Sequence, residues 1–107
     1  MSRDFEVFKK EFKKWQQRFG LNGWTVHFKH EPVDRGYASL TFNLEDMTAS
    51  AALDSKLPPD NVKRHAKHEA LHLLIARIES NGRYRWTSEV DMIESSEELV
   101  NKLVDII

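Results

Sequence analysis

The chain has 107 residues, of which 40% are hydrophobic and 31% charged, with no cysteine and a formal net charge of -1. That length fills one hydrophobic core and excludes a two-domain arrangement, and three Trp, two Tyr and six Phe supply too much large apolar surface for a disordered chain. The lack of thiols excludes disulfides and thiolate metal sites, so any metal must be held by nitrogen and oxygen.

The opening MSRDFEVFKK carries charges where a secretory signal needs an apolar run. No apolar stretch approaches the roughly 20 residues that cross a bilayer, so a cytoplasmic protein with no membrane partner is expected. Charge is uneven along the chain. Residues 1–20 hold six basic and three acidic side chains, whereas residues 87–107 hold one basic and six acidic. The basic excess is interrupted by Asp4, Glu6 and Glu11 and reads as a solvated helix face, so no nucleic-acid partner is expected.

Phe5, Phe8, Phe12, Trp15 and Phe19 recur at spacings of three and four and predict an amphipathic helix over 3–19 that Gly20 can end. An aromatic stripe of this kind serves packing over a sheet. After Asn22-Gly23, Trp24, Val26 and Phe28 alternate with Thr25, His27 and Lys29, the pattern of a half-buried strand. A second strand is expected over 37–44, with Ala38, Leu40, Phe42 and Leu44 on one face. A third, made mostly of small residues, is expected over 48–53.

Pro58-Pro59-Asp60 signals a stop and a helix start, with Asp60 as cap for a helix running to about residue 80 and ended by Asn81-Gly82. A final helix over 88–107 carries the stripe Val90, Ile93, Glu97, Val100, Val104 and Ile107, apolar except for one acid. The expected fold class is α+β: an N-terminal helix, a small three-stranded sheet, a motif helix and a C-terminal helix in one domain spanning 1–107.

Chemistry concentrates in His68-Glu69-Ala70-Leu71-His72. A spacing of four puts both imidazoles on one helix face, so two nitrogens can converge on one ion, while Glu69 can reach a water beside it. Zinc suits neutral imidazole and leaves room for a third ligand and a water. The bland alternative for either histidine alone is a satisfied side chain. For the pair with a carboxylate between them, on a helix otherwise apolar, metal binding is the expectation.

Glu97 is the expected third ligand. It replaces an apolar residue in its helix stripe, so its carboxylate should point inward, where a metal would offset its burial. The competing reading is a stripe-edge acid that reaches solvent. Glu94 is the first substitute, and Glu98 and Glu89 project more to the side. His65, one turn before His68, reads first as an exposed residue and otherwise as a competing ligand or a support for one. Tyr84, in the 81–87 loop, can offer a hydroxyl to a tetrahedral intermediate, although packing is the ordinary role of a loop Tyr.

These residues resemble the zincins, and more closely the minimal gluzincin-like metallopeptidases of bacteria and phages, with similarity to the SprT-like and ImmA/IrrE-like groups. The resemblance rests on Trp24-Thr25-Val26, the small-residue strand over 48–53, the segment from Lys67 to Leu74, and Glu97-Glu98-Leu99-Val100-Asn101. It implies a zincin-like minimal domain in which His68, His72 and Glu97 hold one zinc ion per chain and Glu69 is the general base. It also implies that an extended peptide lies along the 48–53 strand as a sheet edge. No third histidine follows the motif at metzincin spacing, and no motif fixes an oxyanion-stabilising residue. The expected function is zinc-dependent peptide hydrolysis on a peptide or protein substrate. One rival is a zinc-binding regulatory or structural module without peptidase activity, suggested by how little cleft so short a chain offers. Another is a DNA-associated protease of SprT type, against which the modest basic excess argues.

Overall fold

The computed structural model describes residues 3–56, 60–83 and 88–107. The elements, in order, are α1 (Arg3–Arg18), β1 (Thr25–His30), β2 (Ala38–Asn43), β3 (Thr48–Leu53), α2 (Val62–Leu74), α3 (Ala76–Arg83) and α4 (Glu89–Ile106). The fold is α+β, as the patterning predicts.

The stripe on α1 is core. Phe8 and Phe12 are fully buried and Trp15 nearly so, and both phenylalanine rings meet Phe28 of β1 edge-on at 6.4 and 5.5 Å between centroids. Gly20 closes the helix at φ 72°, its N–H bonding to the Gln17 carbonyl while the Leu21 N–H bonds to Gln16. This is the Schellman pattern, which needs a left-handed residue at that position and so favours glycine. The Gln16 amide then donates to the carbonyls of Leu21 and Trp24, tying the helix end to the start of β1. Phe12→Ala should lower unfolding free energy by about 3–5 kcal/mol, the usual range for deleting a buried aromatic. Urea titration of the variant against the wild type measures this.

The sheet order is β1-β3-β2. β3 runs parallel to β1 and antiparallel to β2, so the last strand in sequence is the central one. The expected sheet edge at 48–53 is therefore corrected. Both flanks of β3 are paired, and the strand with a flank open beside the motif helix is β2. In register, Phe28, Ala51 and Leu40 lie across one row and Val26, Ala49 and Phe42 across the next, all on the face that α1 and α2 cover. Alanines on the central strand leave depth for the aromatics of α1, which explains the small-residue composition of β3.

Two boundaries differ from the sequence expectation. The N-cap of α2 is Asn61, whose side chain accepts from the Arg64 N–H, while Asp60 pairs with His65 at 2.7 Å. The expected single helix to residue 80 is two, because Ile75 leaves helical geometry at φ -99° and ψ 13° before α3 begins. Asn81 and Gly82 do not end α3, which continues to Arg83. Pro58, Pro59 and Tyr84 lie outside the described residues. Leu71 of α2 packs with Val100 and Val104 of α4 in a second small core cluster, which brings α4 alongside the motif helix. Among the described residues no helix is long and apolar enough to cross a membrane.

Candidate metal centre

α2 is apolar toward the sheet through Ala66, Ala70 and Leu73, and toward α4 through Leu71. His68, Glu69 and His72 are left facing a groove of about 880 Å³ between β2, α2 and α4. The groove wall opposite them comes from the 34–42 segment, and Ile93, Glu97 and Asn101 of α4 close the other side.

Glu97 reaches both motif histidines across the helix interface. Its Oε2 lies 3.3 Å from His68 Nε2, and its Oε1 is in contact with His72 Nε2. One donor atom from each of His68, His72 and Glu97 falls within a common span of 4.8 Å. Two ligands each about 2.1 Å from a tetrahedral ion stand about 3.4 Å apart, so the His68–Glu97 separation already matches an edge of such a site. The His72 Nε2 atom is buried and has no partner in hydrogen-bond geometry despite its contact with Glu97. A buried ring nitrogen set against a carboxylate and close to a second imidazole brings two nitrogen donors and an oxygen donor around one point, as a metal ligand set requires. The group of His68, His72 and Glu97 can hold a metal ion, and its donor set of two nitrogens and one carboxylate fits.

The stripe argument singles out the acid that joins the cluster, but on a partly mistaken premise. Val100 and Val104 are buried as expected, but Val90 is 64% and Ile93 39% exposed, and the Glu97 side chain keeps 46% of its surface. Glu97 therefore stands on the groove rim and reaches in. Glu89 and Glu94 are exposed, and Glu98 pairs with Lys102 at 3.0 Å on the outer face. His65 is not in the metal group. It is partly buried, packed against Tyr37 with the rings tilted by 40° and their centroids 5.0 Å apart, and held by Asp60.

Electrostatics in the pocket follow from burial among charges of both signs. Burial raises the Glu69 carboxyl to about 6, against the opposing pull of His68 and His72. Burial by itself would lower His72, but the carboxylates of Glu79 and Glu97, with the charge of Glu69, outweigh it and push the ring up to about 10 in the metal-free protein. Contact with His68 and His72 holds Glu97 well below the usual carboxylate range.

Glu69 thus works against the metal-free fold at neutral pH. A folded carboxyl above its unfolded value of 4.5 contributes stability below that pH, and loses it as pH rises through about 6. Metal-free Glu69→Gln should accordingly be about 1–2 kcal/mol more stable than wild type at pH 7, with the difference vanishing near pH 4. Chemical denaturation across that pH range reads it out.

Glu79 was not anticipated. It is 6% exposed on α3, and its Oε1 lies 3.6 Å from His72 Nδ1, on the side of the ring away from Glu97. Seven positions after His72, it would share a face of a continuous helix but stand about two turns away, so the spacing by itself does not predict the contact.

Comparison with protein-family models, with curated proteins and with solved structures found no match. What the fold and the site define is an α+β domain with a metal-competent cluster of two histidines and one glutamate in the wall of an open groove.

Proposed function

We propose that the protein is a zinc metallopeptidase of minimal zincin-like type. The observation that carries this reading is the convergence of His68, His72 and Glu97 in a groove where Glu69, between the two histidines in the chain, is 7% exposed. A donor set of two imidazoles and one carboxylate suits zinc among the common divalent ions, and three protein ligands leave a position for water, as in catalytic rather than structural zinc sites.

When bound, zinc supplies Lewis acidity that makes water a nucleophile near neutral pH and polarises a peptide carbonyl. His68, His72 and Glu97 hold the ion. Glu69, kept basic enough to accept a proton near neutrality and shielded from bulk water by its burial, takes the proton from the attacking water and returns it to the leaving amine. No covalent intermediate with the chain is needed. The substrate is an extended peptide, and the backbone positioned to receive it is β2, which pairs with β3 on one side only and lines the groove along its length. The size of the groove supports hydrolysis over a purely structural zinc module, because a metal serving stability alone needs no open space beside its ligands.

Zinc titration of the wild type, paired with hydrolysis of an unfolded protein and of a random peptide library, tests the reading. One zinc per chain with cleavage of either substrate is expected. Zinc binding without cleavage would leave the module without peptidase activity as the function, and no binding at micromolar free zinc would overturn both.

A further inference from the structure

Glu79 is a buried acid that the hydrolytic scheme does not use, and a carboxylate taken out of water needs a cationic or hydrogen-bonding partner to be tolerated. The partner described for it is His72 Nδ1. The two nitrogens of that ring face opposite ways: Nε2 toward His68 and Glu97, Nδ1 toward Glu79. Glu79 is therefore outside the donor cluster and on the far side of one of its members. We infer that Glu79 is a positioning residue that accepts a hydrogen bond from the Nδ1–H of His72, fixing the tautomer in which Nε2 offers its lone pair to the metal. This rests on the metal reading of His68, His72 and Glu97.

The break at Ile75 bears on this geometry. Ile75 still receives the helical bond of its own N–H to the Leu71 carbonyl, and its carbonyl accepts from the Glu79 N–H at 3.0 Å. The backbone thus carries Glu79 back beside the turn that bears His72 even though α2 and α3 are separate helices. At 3.6 Å the pair is slightly longer than a hydrogen bond and within ion-pair distance. A carboxylate behind a ligating imidazole raises its basicity as a ligand and holds the ring plane, and removing such a partner typically weakens metal affinity tenfold to a hundredfold.

The experiment compares zinc affinity, by competition with a chromophoric chelator, in wild type, Glu79→Gln and Glu79→Met, with metal-free melting curves to verify that each variant folds. The expected result is one zinc per chain throughout. Affinity should fall modestly in Glu79→Gln, whose amide oxygen can still accept the hydrogen bond, and by tenfold to a hundredfold in Glu79→Met, which cannot. Nitrogen-15 spectra of the zinc-loaded wild type should show His72 protonated at Nδ1, and that signal should shift in Glu79→Met. Unchanged affinity and an unchanged His72 spectrum in a folded Glu79→Met would overturn the inference while leaving the metal site intact. Failure of the wild type itself to bind zinc would instead overturn the reading beneath it. Should Glu79→Met not fold, the Glu79→Gln affinity decides the matter, a value equal to the wild type counting against the inference.

Discussion

Glu69→Gln is expected to keep one zinc per chain and to lose peptide hydrolysis by about a hundredfold to ten-thousandfold, the usual contribution of a positioned general base. The substitution preserves shape and hydrogen bonding but leaves no group that can take up the water proton. In the proposed mechanism Glu69 acts on the water without being a ligand: the donor cluster comprises His68, His72 and Glu97. Metal stoichiometry and turnover should therefore separate cleanly in this one variant. Its position explains its basicity, since burial raises the carboxyl to about 6, close to a neutral working pH. Initial rates on an unfolded protein, measured beside zinc content, make the comparison, and full activity in the variant would sink the mechanism. The same change is expected to stabilise the metal-free protein, so a loss of rate could not be ascribed to unfolding.

Zinc itself is expected to be a large part of the stability of the loaded protein. Free zinc at about a hundred times the dissociation constant adds about 2.7 kcal/mol by mass action, which for a domain of this size raises the melting temperature by on the order of 10 °C. In the metal-free state His72 is pressed against Glu97 and faces Glu79 and Glu69, an arrangement that depends on the ring carrying a proton. Zinc replaces that proton with a divalent charge, and its affinity should fall as acid returns protons to the ligands. His72→Ala should abolish the zinc-induced shift in melting temperature, and Glu97→Ala should reduce it sharply, since each removes one of three protein ligands. His27→Ala is the control, because that ring is exposed on β1 and apart from the cluster. Melting curves with zinc and with a chelator, for all four proteins, provide the test. An undiminished shift in His72→Ala would place the ion elsewhere.

The elements with strong local signals were legible without coordinates. The α1 stripe and the alternation in β1 and β2 follow from side-chain period, which depends on neighbours along the chain, whereas β3 was expected only as a run of small residues after two β-rich segments. His68, Glu69 and His72 were legible for the same reason, since a spacing of four on a helix determines which side chains share a face. Glu97 was legible as an acid within an apolar stripe, although its half-exposed place on the rim was not. Strand order was not legible. Nothing in the composition of residues 48–53 distinguishes an edge strand from a central one, because that depends on which strands pair across the chain, and the edge proposed to take a peptide is β2 as a result. The break at Ile75 and the role of Asn61 rather than Asp60 as cap were likewise local choices decided by packing and competing side-chain partners.

By itself, then, the sequence determined which residues can bind a metal and that two of them face the same way, because helical period is a property of the backbone. The tertiary structure decided how the third ligand approaches, which strand borders the groove, and that Glu79 stands behind His72. Those are distances between elements far apart in the chain, set by how the strands pair and by how α2 and α4 pack through Leu71, Val100 and Val104.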